Sequence, residues 1–182
     1  VYPGAKVIAL FHDTGRFPQI HKYKIDDDHL TENHAMLSIN EIREYKVLDE
    51  ENHEVKEVIL KAIGYHNIAS IPEDETDEKT ILFSKLIRDA DKVDIYRVMI
   101  EDVYSNDNDY LKELYPHFDF TPKVSDVIYK KLKNGLTLQR TEVKTMLDHV
   151  ILQIAWVMND INFDESKRII ENWNEGGIYA IF

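Results

Sequence analysis

The sequence predicts an all-α fold. Three observations carry that expectation. Apolar residues recur at three-and-four spacing through most of the longer segments. The breaks between those segments hold Gly, Asn, Pro and acidic residues, which punctuate helix ends. Strand signals are weak and confined to Gly135–Gln139 and the tail Gly176–Phe182.

Residues 5–14 are expected to form a short apolar helix, built on Val7-Ile8-Ala9-Leu10-Phe11. Residues 15–33 are polar and read as irregular, with Asp26-Asp27-Asp28 inside them. A helix is expected from His34 to about Leu48, capped by Thr31 or Asn33. Another runs from about Asn52 to Tyr65, where Val55, Val58, Ile59, Ala62 and Ile63 share a face and Gly64 and Asn67 supply stop signals. An acidic loop, Pro72 to Asp77, precedes a long helix to about Tyr104. Residues 105–121 read as a connection, because Pro116 forbids a long helix through its middle. Helices follow over about 122–133, 141–159 and 164–173, the first two separated by Asn134-Gly135. The apolar tail is expected to dock on the body or pair as a short strand. The expectation is one domain over 1–182, with a core of about 1–104 and accessory helices over about 105–182.

Composition narrows the function classes. The chain has 182 residues, six Gly, five Pro and no long low-complexity run, which argues for a folded domain. It starts at Val1, so it is expected to be processed or cut from something longer. No stretch approaches the ~20 apolar residues of a membrane span. The absence of cysteine excludes disulfides, thiolate metal sites and Cys nucleophiles, and fits a cytoplasmic protein. A formal charge of −12 disfavours a long nucleic acid but leaves room for a small phosphate compound bound through a metal and a local cation.

His12-Asp13 is the most informative pair. It closes a five-residue apolar run, where a polar pair is costly unless compensated, and a divalent metal compensates both groups. Gly15 is expected to end the helix and to let a substrate approach the backbone. Asp91 falls in an apolar stripe between Ile87 and Ile95, while Asp89 falls off it. His66 lies at the end of its helix on the apolar face, and His34 stands at the start of another. Each has a plain alternative: a salt bridge from Asp91 to Arg88 or Arg97, carbonyl capping by His12 or His66, and a surface place beside a cap for His34. Taken together, four elements offer nitrogen or oxygen ligands, as helical bundles do when they build a metal site.

Leu10-Phe11-His12-Asp13-Thr14-Gly15-Arg16 followed by Asp89-Ala90-Asp91-Lys92-Val93-Asp94 resembles the HD superfamily of metal-dependent phosphohydrolases, over about residues 5–98. The resemblance implies an HD-domain helical bundle with additional C-terminal helices. It implies metal ligation by His12, Asp13 and Asp91, and phosphate binding by Arg16. It also implies that His34 and His66 hold a second metal or contact phosphate. Asp13, His66 and His34 are then the catalytic candidates, with the two histidines also able to protonate the leaving oxygen. Members usually carry a further ligating His on a helix some tens of residues earlier. Eleven residues precede His12 and none is His, so a preceding segment is expected to be missing.

The expected activity is hydrolysis of a phosphate ester of a small molecule or nucleotide by a metal-activated water. The ligand types favour one or two ions of Mn, Fe, Co, Ni or Zn over Mg. A non-catalytic module binding a nucleotide or a partner protein is the alternative, and a di-iron oxygenase on the same scaffold is a third. A homodimer is an open expectation, and membrane partners are not expected. His21, His29 and Lys24 read as solvated loop groups, and Asp28 as one that could approach the site mouth. His53, His117 and His149 read as structural or surface residues, and Trp156 and Trp173 as core or dimer contacts.

Overall fold

Helices account for nearly all regular structure in the computed structural model, which describes residues 3–104 and 108–175. The fold is all-α. Its β-structure, among the described residues, is a single isolated parallel bridge between Asp119 and Thr145. The chain divides into two compact units, Val1–Arg88 and Asp89–Phe182.

The first unit holds α1 (Pro3–Phe11), α2 (Arg16–Tyr23), α3 (His34–Glu44), α4 (His53–Gly64) and the start of α5 (Glu78–Tyr104). Its core joins Ile8, Ile39, Ile42, Leu48, Val58, Ile59, Ala62, Ile63, Phe83 and Ile87. The three-and-four spacing of α4 puts Val58, Ile59, Ala62 and Ile63 inward against α1 and α3. Side chains satisfy the orphan N–H groups at the helix starts. Asn33 accepts from Met36 N at 3.1 Å, Asn52 from Val55 N at 2.9 Å, and Asp77 from Thr80 N at 2.7 Å.

Two features of this unit correct the expectation. Residues 16–23, read as irregular, form α2. Its buried residue is Gln19, while Phe17 and Ile20 are exposed, so the helix carries no apolar stripe. Pro18 stands in the first turn, where its missing N–H breaks no helical hydrogen bond. α3 stops at Glu44 rather than about Leu48. Lys46 adopts φ +55°, and Val47 N and Lys46 N bond back to Ile42 O and Arg43 O, a Schellman closure made without glycine.

In the second unit α5 continues, followed by α6 (Asn108–Leu114), α7 (Asp126–Lys133), a 3-10 turn (Arg140–Glu142), α8 (Met146–Asp160) and α9 (Asp164–Glu175). α6 lies where a connection was expected, and ends before Pro116. α8 starts five residues later than expected, after the separate 3-10 turn. Gly135 closes α7 in the left-handed region at φ +63°. Residues 136–139 form no strand, and the tail 176–182 lies outside the described residues. One apolar cluster joins Tyr96, Met99, Ile161 and Ile170; another joins Ile128, Leu138 and Leu152, with Trp156 packed against it. Asp148 forms a capping box with Thr145 and also accepts from Ser125 N and Lys144 N.

His149 is buried among these elements, its ring 5.5 Å from that of Tyr115 and 4.8 Å from that of Phe118. Burial, helped by the charge of Arg140, pushes its imidazole down to about 4. An unfolded chain takes up this proton near 6.5 and the folded chain does not. Stability is therefore expected to fall as pH drops from above 6.5 towards 4 and to level off below, by about 3 kcal/mol in all. Denaturation of wild type and His149→Leu across that range checks it. Identical pH slopes in the two proteins would refute it.

Candidate metal centre

Three chain corners of the first unit converge. The first is the turn His12–Gly15 between α1 and α2. Ser38 of α3 stitches it down: its hydroxyl donates to His12 O at 2.7 Å and accepts from Gly15 N at 2.8 Å. Gly15, expected to end the first helix, instead caps the start of α2 with an ordinary helical φ of −65°, and α1 already ends at Phe11. A Cβ there would lie 2.1 Å from His34 O and 2.4 Å from Ser38 N. What approaches this glycine is the backbone of α3, where a substrate had been expected.

The second corner is the start of α3, where His34 is 3% exposed. The third follows the end of α4, where His66 is 4% exposed. Arg88 of α5 holds this turn by donating to Tyr65 O at 2.9 Å and Ala69 O at 3.0 Å, with Ile68 O also within reach.

The side chains meet at Asp13. His34 Nε2 lies 3.1 Å and His66 Nε2 3.6 Å from Asp13 Oδ1, and the two nitrogens are 2.9 Å apart. His12 Nε2 lies 3.8 Å from Asp13 Oδ2, with its ring 5.1 Å from that of His66. Asp13, His34 and His66 offer ligand atoms close enough together to share an ion.

The proton positions give this cluster its chemical character. His12 Nδ1 lies 2.9 Å from Ala9 O, and His66 Nδ1 lies 2.6 Å from Ile63 O. His34 Nδ1 lies 2.7 Å from Asp28 Oδ2. Carbonyls and carboxylates only accept, so all three Nδ1 atoms carry hydrogen. In their neutral forms all three rings then present an Nε2 lone pair to the cluster. Facing lone pairs at 2.9 Å repel, and a cation relieves them. Asp13 Oδ1 is buried and accepts no well-directed hydrogen bond, as suits a ligand atom. These residues fit a divalent ion with borderline-soft preferences. Burial favours the neutral form of Asp13; in their protonated forms the imidazoles of His34, His66 and His12, together with the Arg16 guanidinium, outweigh it and hold the carboxyl well below the usual range.

Arg16 stands half-buried at the edge, its Nε 3.8 Å from Asp13 Oδ1. Its Nη1 donates to Asp26 O at 2.7 Å, so the side chain also clamps the loop after α2. Asp91 lies on α5 three residues beyond Arg88, in the second unit, and is partly buried. Asp89 has a different task in that unit: it is 1% exposed and accepts from Asn162 N, Asn162 Nδ2 and Phe163 N ahead of α9. His21, His29, His53 and His117 are exposed.

Sequence reasoning undervalued Asp28, passed over Gln19 and named Asn67 only as a helix stop. Asp28 Oδ2 also accepts from Asn67 Nδ2 at 2.9 Å, and its Oδ1 accepts from Gln19 Nε2 at 2.9 Å and His34 N at 3.2 Å. Against burial, the Gln19 hydrogen bond and the nearby His34 hold the Asp28 carboxyl below its ordinary value. No periodicity links a loop carboxylate to a histidine six residues on, and an Asp-Asp-Asp run reads as solvated.

Comparison with family models matches the family described as HD domain over residues 3–96, a little more than half of the chain. Comparison with curated proteins and with solved structures gives none.

Proposed function

The chain belongs to the HD-domain family, and from that membership we propose that it hydrolyses a phosphate ester of a small molecule or nucleotide at a divalent-metal centre. The HD domain is that of a superfamily of metal-dependent phosphohydrolases. The observation that carries the reading is the meeting of Asp13 with the Nε2 atoms of His34 and His66, with His12 alongside.

His12, Asp13, His34 and His66 hold the metal, and the family motif adds Asp91 to the set. When bound, a transition-metal ion lowers the pKa of water and polarises a phosphoryl group. Asp13 contributes the negative charge facing the ion. With Nδ1 protonated, His34 and His66 turn Nε2 into the cluster, which favours ligation over proton donation to a leaving group. Arg16, beside Asp13, supplies a cation for a non-bridging phosphate oxygen. The net charge of −12 suits a small phosphorylated ligand better than a long polyanion.

Elemental analysis followed by assays on an aryl phosphate monoester and diester tests the proposal. About one or two transition-metal ions per chain are expected, with hydrolysis lost on chelation and restored by the metal. No metal after reconstitution would overturn it. Bound metal and tight nucleotide binding without turnover would make the chain a binding module instead.

A further inference from the structure

Among the three imidazoles of the cluster, His34 takes the acceptor for its Nδ1 proton from a side chain. His12 and His66 use main-chain carbonyls three residues earlier, Ala9 O and Ile63 O. We infer that Asp28 is a positioning residue that fixes the proton of His34 on Nδ1, so that Nε2 serves as a metal ligand. This rests on the metal-centre reading above.

The hydrogen-bond directions around Asp28 carry the argument. Its Oδ1 receives the His34 backbone N–H, which can only donate. It also receives Gln19 Nε2, whose orientation is set by a second bond to Glu32 O at 2.8 Å, a group that can only accept. Gln19 is fully buried, and its amide also reaches Thr31 Oγ1 at 2.8 Å. The Oδ1 position must therefore be an acceptor. Oδ2 faces His34 Nδ1 and Asn67 Nδ2, two groups that can each reverse their role. Asn67 Oδ1 is buried without a partner, so reversing that amide sacrifices no bond at the oxygen. With both carboxylate oxygens accepting, the His34 ring has one arrangement: hydrogen on Nδ1 and Nε2 towards Asp13 and His66.

Asp28→Asn reverses that arrangement without changing shape. Its oxygen must take the Oδ1 position, so its amide nitrogen takes the Oδ2 position and donates to His34 Nδ1. The ring hydrogen then moves to Nε2, directed into the cluster, and the ligand lone pair is lost. Supporting partners of metal-ligating histidines typically contribute ~10–100-fold in metal affinity, and a loss of that order is expected here.

The test uses the full chain in two measurements. Nitrogen-15 NMR of ring-labelled histidine, assigned by His34→Gln, reads which nitrogen of His34 carries hydrogen in the metal-free protein. Calorimetry with Mn(II) and Zn(II) reads affinity for wild type and Asp28→Asn, with circular dichroism to check folding. Expected are a protonated Nδ1 in wild type, an unprotonated Nδ1 in Asp28→Asn and the affinity loss above. An unprotonated Nδ1 in wild type overturns the inference. So does a folded Asp28→Asn that binds either ion within about twofold of wild type. If Asp28→Asn does not fold, the wild-type spectrum decides alone. If wild type takes up neither ion, the metal-centre reading fails, while the spectrum still decides the role of Asp28.

Discussion

Asp13→Ala is expected to abolish uptake of a divalent ion while leaving the helices in place. The carboxylate is the point on which the imidazoles of His34, His66 and His12 converge. Without it the three imidazoles are neutral donors, and the carboxylate at their meeting point no longer balances the charge of the ion. The expected loss exceeds the ~10–100-fold typical of removing a mere supporting partner. Its side chain is 45% exposed, so truncation opens no large cavity. A melting experiment separates these effects. At an ion concentration of about 100 Kd, binding to the native state alone stabilises by about 2.7 kcal/mol. Wild type should therefore melt higher when Mn(II) or Zn(II) is added, and the variant should not respond. A variant with wild-type metal content would remove Asp13 from the ligand set.

Gly15→Ala is the counterpart for folding. The added Cβ meets main-chain atoms of α3 at 2.1 and 2.4 Å and Leu37 Cβ at 2.7 Å. Main chain cannot rotate away as a side-chain tip can, so α2 and α3 must separate. That breaks the bond from Gly15 N to Ser38 and displaces His34. Destabilisation of about 3 kcal/mol or more is expected, the upper range for overpacking. Gly64 supplies the control: a Cβ there meets the mobile end of Ile39 at 3.4 Å. Gly64→Ala should be neutral or stabilise by up to about 1 kcal/mol through helix propensity. Chemical denaturation of both variants checks the pair, and equal stabilities would refute the close-approach argument.

Much of this was legible because it rests on local rules. The apolar face of α4 and the Asn33 cap, one of the two candidates for α3, follow from spacing and side-chain chemistry. His12, Asp13, His34 and His66 stood out as polar groups at helix ends, and the fold brings them together. α2 stayed hidden because its inward residue is polar: Gln19 is buried to make hydrogen bonds, and periodicity registers apolar burial alone. The end of α3 stayed hidden because Lys46, which is not a usual left-handed residue, takes a positive φ. Asp28 stayed hidden because its value depends on where Asn67 and Gln19 arrive, a property of tertiary structure.

The anchoring of the imidazoles also bears on how such a centre can vary over generations. Ala9 and Ile63 contribute carbonyls, so codon changes at those positions leave the acceptors of His12 and His66 in place while the helices persist. Position 28 differs, because its contribution is genetically encoded chemistry. A single base change converts an Asp codon to Asn and would alter the coordinating character of His34 without touching a ligand. Heritable tuning of the centre is thus concentrated in a loop residue, while the ligands themselves are buffered by the backbone.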